Sequence, residues 1–556
     1  MNFRSASASV LGREAMRDLD VRTIAAGTPS AELMERAGQA LADALADSGL
    51  HGVPLSEGPR LLVLAGSGNN GGDGFVVARL LEARGWFCTV ALVGGEPAPG
   101  GDAAANLAEW RREGGLVIGA DAAARLLRDH STDFDLGLDA IFGTGLVRPV
   151  EGADAEFIHH LNQSGLPLVA ADIPSGLCSD TGCPLGVAVR CRATVTLGAA
   201  KPGLFLDEGP DYTGRVQVAD IGLLEPAEAG VARVGVVLDA ATMAGAWPRL
   251  SPLAHKGSRG HVLVVAGSRG KTGAAVLAAR GALRAGAGLV TVACVPEVQA
   301  AVAAALPEAM TRPLASDADG CVSLAAMEDL LSAAGAADSI VVGPGLGTGA
   351  GADAAVALLL AQPQPLVIDA DGLNVLSEWD DQRIQSLFAA RAASGAPAPV
   401  LTPHPGEMGR LVDSTSVHVQ LSRLVFSDNL AKELGAVVVL KGAATVIADG
   451  RPGAAAGTPI GGGVVHTSTG GGVVHTSLAF NLSGNAGMAC AGMGDVLSGI
   501  CAALAVRVPD PFEAAGLAVY AHGAAGDLLA ARSGPGFLAS ELADALPSVL
   551  ASQYPR

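Results

Sequence analysis

The chain is short of positive charge for its size. Its 556 residues carry 36 Lys or Arg against 55 Asp or Glu, a formal net charge of −19. That balance excludes a general nucleic-acid binder and a polybasic membrane-surface protein, so neither nucleic acid nor membrane is expected as a partner. Phosphate ligands stay open, because backbone N–H groups and a few cations hold them locally. Cysteines are sparse: eight, at positions 88, 178, 183, 191, 294, 321, 490 and 501, with no Cys-x-x-Cys pair and no cysteine–histidine cluster at zinc spacing. This pattern excludes a disulfide framework and fits a reducing compartment. Long apolar runs are missing as well. No stretch of about eighteen residues is apolar enough to span a bilayer, and MNFRSASASVLGREAMRDLD lacks the apolar segment of a secretion signal. A cytoplasmic location is expected.

What the chain does have is glycine. Seventy-five glycines, with 49% hydrophobic and 16% charged residues, suit globular α/β domains with many strand-to-helix turns and argue against wholesale disorder. The length fits three or four average domains or two large ones. In the first half, VRTIAAGTPSAELMERAGQALADAL reads as an amphipathic helix capped at Thr28 or Ser30. RLLVLAGSGNNGGDGFVVARLLEARG then reads as a buried strand at 61–65, a glycine loop, and a helix from about Gly74.

The loop GSGNNG, 66–71, fits the G-x-G-x-x-G pattern of dinucleotide folds, so an NAD(P)-dependent oxidoreductase is a serious competing reading. Against it, the next strand, CTVALVGG, ends without the acidic residue that would hold a ribose hydroxyl; Glu96 comes late. The loop also continues as NNGGDG, whose amides and carboxylate (Asn69, Asn70, Asp73) suit a polar substrate and a hard cation. Two further strands end at Asp139 and Asp172, the second followed by Pro174 and Ser175. In an open parallel sheet such ends line the ligand crevice, so Asn70, Asp139, Asp172 and Ser175 are expected to converge.

A Pro- and Gly-containing stretch, 226–250, marks a linker between a domain over 1–225 and a domain over 251–556. GSRGKTG fails as a Walker A loop, because Val265 stands where its first glycine is needed. SIVVGPGLG, PLVIDADGLNVL, PVLTPHPGEMGRL and VVVLKGAATVIADG each read as a buried strand ending in glycine or polar residues, which predicts a second doubly wound α/β domain. His404, between two prolines, is either structural or aimed into a site. AGMGDVLSG, 491–499, combines glycines, Asp495 and an apolar run at helical spacing. An aspartate beside N–H groups opening a helix either caps the turn or takes a proton from a hydroxyl attacking a phosphoryl group.

Across roughly residues 10–225, GSGNNGGDG, DAIFGTGL, DIPSGLCSDTG and GAAKPGL resemble the NAD(P)H-hydrate epimerase family, a Rossmann-like fold. Across 250–535, HKGSRGHVLVVAGS, GPGLG, DADGLN, LTPHPGE, LKGAAT and AGMGD resemble the ribokinase-like ADP-dependent NAD(P)H-hydrate dehydratases. The resemblance implies repair of hydrated nicotinamide nucleotides: R and S forms of NAD(P)HX are interconverted, and the S form is dehydrated as ADP becomes AMP and phosphate. It implies that Asn69, Asn70, Gly71, Gly72 and Asp73, with Gly143, Thr144, Gly145, Leu146, Val147, Arg148 and Pro149, hold the hydrate in the first domain. There Asn70, Asp139 and Ser175 would carry a potassium ion, and Asp172 would contact substrate; from its chemistry Asp172 is the acid/base candidate, with Lys201 second. In the second domain Ala274, Gly345 and His404 would face the hydrate, Lys441, Gly442, Ala443, Ala444, Thr445 and Gly494 the adenine nucleotide, and Asp495 would be catalytic. A magnesium ion, ADP as phosphoryl donor and a homo-oligomer complete the expectation.

Two departures from the dehydratase pattern stand out. A glycine-rich insertion at 452–477 contains GGGVVHTS twice, with His466 and His475; it reads as a mobile surface flap. Leu482, Ser483 and Ala486 replace a family Pro, Thr and Pro, which loosens the approach to 491–499. A nucleotide-binding or interaction module whose first domain has lost catalysis is a third reading.

Overall fold

A computed structural model describes residues 9–129, 131–239, 243, 247–248, 251–451 and 478–553. The glycine-rich repeats with His466 and His475 lie outside the described residues. The chain forms two compact units, one within Met1–Gly235 and the other beginning at Val236.

The strands of the first unit are β1 (Ser9–Val10), β2 (Arg60–Ala65), β3 (Phe87–Leu92), β4 (Leu116–Gly119), β5 (Leu136–Ala140), β6 (Leu168–Ala171), β7 (Ala193–Leu197) and β8 (Arg215–Ala219). Seven form one sheet in the order β4-β3-β2-β5-β6-β7-β8, every pairing parallel. Both faces of this sheet are covered. Leu61, Val63 and Leu138 point into one apolar cluster with Phe75 and Leu81, whereas Leu62, Leu64 and Leu168 point into another with Phe157 and Leu161. Strands buried on both faces read as continuous apolar runs, and each fully buried Leu or Phe contributes about 1.5–3 kcal/mol. The strand order reverses between β2 and β5, so their carboxyl ends diverge and leave a crevice.

Two local expectations are corrected. The helix following β2 is Asn69–Glu82, starting five residues earlier than the apolar periodicity indicated. Its glycines hide the helical pattern but permit the close approach: a Cβ on Gly71 would stand 2.0 Å from the Gly66 carbonyl oxygen. The amphipathic helix is Ser30–Ala46, and its cap position is Pro29, with no side-chain cap from Thr28 or Ser30. Proline's fixed φ, here −61°, sets the entry angle instead.

The second unit contains β9 (Gly235–Leu238), β10 (His261–Val265), β11 (Leu289–Cys294), β12 (Met310–Pro313), β13 (Ser339–Val342), β14 (Leu366–Ile368), β15 (Val400–Leu401), β16 (Val437–Leu440), β17 (Thr445–Asp449) and β18 (Leu478–Asn481). Their order is β9-β18-β17-β16-β15-β14-β13-β10-β11-β12. The run from β16 to β12 is parallel, while β17 pairs antiparallel with both β16 and β18. The switch here falls between β10 and β13. Helices Thr272–Arg284 and Met493–Ala505 pack backbone to backbone: a Cβ on Gly281 would lie 2.4 Å from the Val496 carbonyl oxygen, and one on Gly492 would lie 2.4 Å from Leu277. Those two pairings make the helices parallel, so Ala274 and Asp495, both in first turns, start at the same end.

Candidate active sites

In the first unit the crevice is a cavity of about 940 Å³, lined by Asn69, Asn70 and Asp73 after β2, by residues 141–148 after β5, by Asp172 after β6 and by Lys201 after β7. Asp172 adopts φ +68°, a left-handed backbone that costs a non-glycine residue about 1–2 kcal/mol and that aspartate tolerates better than most. Its carboxylate is thereby turned toward the end of β7. There Oδ1 accepts from Lys201 Nζ at 2.5 Å, from the Leu197 N–H at 3.1 Å and from Thr196 Oγ1 at 3.2 Å, while Oδ2 accepts from Thr144 Oγ1. Lys201 is fully buried and also donates to Thr196 Oγ1 and the Leu197 carbonyl, both at 2.9 Å. Burial pushes the Asp172 carboxyl up, but the Lys201 ammonium and these hydrogen bonds outweigh it and hold it below the usual carboxylate range.

Asp73 is the opposite case. It is buried, accepts no hydrogen bond from any described residue, and is pushed well above the ordinary range by desolvation and by the charges of Asp172 and Asp20. Beneath the cavity floor, fully buried Asp139 accepts from the Ser175 N–H at 2.8 Å and from Ser175 Oγ at 2.6 Å. Desolvation raises its pKa to about 6 despite those bonds. Asn70 lies against Gly143, and its amide nitrogen is buried without a partner.

The second site is built from the carboxyl ends of the parallel strands. Lys441, after β16, donates to buried Asp369, after β14, at 2.9 Å and lies 3.7 Å from Glu407 Oε2. Burial pushes the Lys441 ammonium down, but the Asp369 and Glu407 carboxylates more than reverse this and raise it. Asp495 is in the first turn of Met493–Ala505, and its carboxyl accepts no hydrogen bond from any described residue. The cap position is Gly492, so the reading of Asp495 as an ordinary cap fails. Desolvation, then the charge of Asp369, raise its pKa to about 7, Lys441 opposing them. Gly494 lies against Lys441, a Cβ there coming 3.1 Å from its Nζ.

Comparison with known proteins follows the same division. Residues 30–203 match the family described as YjeF-related protein N-terminus, and residues 262–478 and 473–548 match NAD(P)H-hydrate dehydratase. The bifunctional NAD(P)H-hydrate repair enzyme Nnr of Moorella thermoacetica is 39% identical, the match covering 94% of this chain and 92% of that one. The chain belongs to the bifunctional NAD(P)H-hydrate repair enzymes. The Escherichia coli repair enzyme Nnr is 35% identical over 93% of this chain and 89% of its own. Among solved structures, an ADP/ATP-dependent NAD(P)H-hydrate dehydratase from Bacillus subtilis, co-crystallised with ATP and Mg²⁺, is 27% identical, covers 57% of this chain and 98% of its own, and superposes with a TM-score of 0.43.

Membership in the repair enzymes removes the oxidoreductase reading, and the structure agrees locally: exposed Glu96 pairs with Arg111 at 2.7 Å and does not line the cavity. Of the residues expected to hold the hydrate, Asn69, Asn70, Asp73 and 143–148 line the cavity, whereas Gly71, Gly72 and Pro149 do not. Gly71 and Gly72 are buried in packing. Gly345 sits beside Lys271 and Ala274. His404 caps its own helix, Pro405–Leu411, its Nδ1 accepting from the Gly406 N–H at 3.0 Å and the Glu407 N–H at 3.3 Å. The turn from Lys441 to Thr445 folds over buried Arg423, which donates to the carbonyls of Leu440, Lys441 and Ala444. Ser483 does not leave a gap in place of the family residue, because its hydroxyl donates to Asn481 Oδ1 at 2.8 Å and to the Tyr520 carbonyl at 3.1 Å.

Sequence reasoning missed Asp20, Asp369, Glu407 and His522. Asp369 and Glu407 stood inside motifs already marked, in DADGLN and LTPHPGE. His522, buried in helix Pro511–Ser533, bonds the Met493 carbonyl at 3.0 Å, and desolvation keeps it neutral by lowering its pKa to about 4. No local pattern announces it. Among the described residues no helix is long and apolar enough to cross a membrane.

Proposed function

We propose that the two sites act on one damaged coenzyme. The first unit interconverts the R and S hydrates of NADH or NADPH, and the second dehydrates the S form while ADP becomes AMP and phosphate. The observation that carries this reading is Asp495, an unpaired carboxyl with a pKa of about 7 at a helix amino terminus. A base poised near neutrality is partly ionised and accepts the proton of the C6 hydroxyl as that oxygen attacks the terminal phosphoryl group. N–H groups opening the helix offset the charge that develops, and the ring nitrogen then expels phosphate. In this reading Ala274, Gly345 and His404 face the hydrate, and Lys441, Gly442, Ala443, Ala444, Thr445 and Gly494 hold the nucleotide.

In the first unit Asn69, Asn70 and Asp73 with residues 143–148 hold the hydrate, with Asp172 as acid/base and Lys201 fixing its charge. The buried Asp139 carboxylate, the Ser175 hydroxyl and the Asn70 side-chain carbonyl are the oxygens that would hold a potassium ion, which when bound would supply positive charge to the site. A magnesium ion would neutralise phosphate charge in the second unit through the phosphate oxygens, since among the described residues no three His, Cys, Asp or Glu side chains gather as a metal site. Val417 and Leu421 on helix Ser416–Leu421 and Val425 on helix Arg423–Leu434 are each more than half exposed, apolar surface that would be covered in a homo-oligomer.

Mixed R and S hydrates of NADH, incubated with the protein, test the reading. ADP-dependent recovery of reduced-nicotinamide absorbance, with consumption of both isomers, is expected. No recovery, or hydride transfer to a carbonyl compound, would overturn it.

A further inference from the structure

Helix Arg13–Ala25 presents Arg13, Arg17, Asp20 and Ile24, spaced four, three and four residues apart, to the epimerase cavity. Glu14 on the same helix also lines the cavity, but Asp20 is the carboxyl that lies close enough to feel both Lys201 and Asp172, and no described residue donates a hydrogen bond to it. The contrast with Asp172 is chemical. Asp172 is engaged by four donors, one of them the buried Lys201 ammonium, so it stays ionised and has no proton to give. Inverting a carbon that bears a hydroxyl needs a proton on one face and an acceptor on the other. Asp73, on helix Asn69–Glu82, is buried, and desolvation pushes it above the usual carboxylate range.

We propose that Asp20 is a catalytic acid of the epimerase site, handing its proton to the C6 hydroxyl of the hydrate while Asp172 serves as the base. The C6–O bond breaks as the ring nitrogen lone pair moves into an N1=C6 double bond, and the oxygen leaves as water carrying the Asp20 proton. Water then adds to the opposite face, the electron pair returns to N1, and the proton lost by that water passes to Asp172. The C6 centre is inverted, no electrons are gained or lost, and the enzyme is left ready for the reverse turnover or for resetting by solvent. Asp20 is suited to this because desolvation, opposed by the charge of Lys201, places its pKa at about 6. The charged groups around it are Lys201, Asp172 and Asp73 across the cavity, Arg13, Glu14 and Arg17 on its own helix, and Asp102, Arg148 and Asp154 elsewhere on the cavity lining.

This inference rests on the repair reading, and its test separates the two. Full-length protein and its Asp20→Asn and Asp20→Glu variants are assayed on R-hydrate of NADH for epimerisation and on S-hydrate with ADP for dehydration, each over a range of pH. Epimerisation is expected to fall about a hundredfold or more in Asp20→Asn. It should recover in part in Asp20→Glu, with the alkaline limb of the pH profile moved, while S-hydrate dehydration stays at the parent rate in both. Asp20→Asn epimerising within a few-fold of the parent, with the parent's pH profile, overturns the role of Asp20. Equal loss in both variants with no movement of the alkaline limb also overturns it, marking Asp20 as structural. Parent protein that leaves the R-hydrate untouched overturns the repair reading itself.

Discussion

Both units place a lysine among carboxylates at the carboxyl ends of parallel strands, yet they use it differently. In the first, Lys201 is spent on Asp172, the carboxylate that itself faces the cavity. In the second, Lys441 is held by Asp369 and lies near Glu407, and Asp495 arrives from a helix with no hydrogen-bond partner among the described residues. The difference teaches that a lysine's position does not set the protonation of the working carboxyl; which carboxylate takes its hydrogen bond does. Asp172 is consequently held low, and Asp495 rises to about 7.

The sharpest break of the comparison is to remove each lysine. Lys201→Met strands Asp172, and Lys441→Met strands Asp369 and Glu407, so each variant is expected to lose about 3–5 kcal/mol of stability in its own unit, as broken buried pairs do. Denaturant titration followed by signals from each unit measures it. A loss below about 1 kcal/mol would mean that the pair is solvated and the parallel between the units is false.

The next effect is catalytic. Asp495→Asn keeps the fold and nucleotide affinity but is expected to lose dehydration about a hundredfold or more, with epimerisation unchanged. In the parent, dehydration should fall as pH drops below about 7, because the base must be ionised. The stability sign is opposite. A carboxyl whose folded pKa is raised binds extra protons in the folded state, so its contribution favours folding at low pH and is lost as pH rises through the window from about 4 to about 7. Near-parent turnover by Asp495→Asn, or a flat rate between those pH values, removes Asp495 from the mechanism.

The smallest expected effect is none. Glu96→Gln removes the one acidic residue that the oxidoreductase reading used, and since Glu96 is an exposed partner of Arg111 it should change neither activity. A large rise in KM for the hydrate would place Glu96 at the substrate and contradict its exposed position beside Arg111.

Much of this was legible along the chain. Apolar runs buried on both faces, such as Leu61–Leu64 and Val437–Leu440, announce central parallel strands, and the polar residues just beyond them announce the crevice. The helix Asn69–Glu82 was misjudged at its start, because glycines chosen for close packing erase the periodicity by which a helix is recognised. His404 was legible as a stiff turn, but only its geometry shows the ring accepting from its own helix.

The sequence by itself determined two α/β units, their parallel strands and the loops that carry their chemistry, because hydrophobic period and turn residues act over a few neighbours. Only the tertiary structure decided which charges meet. Asp172 and Lys201 are twenty-nine positions apart, and Lys441 and Asp369 seventy-two. A carboxyl's protonation depends on desolvation and on charges a few ångströms away, and such distances exist only once the sheets have brought the strand ends together.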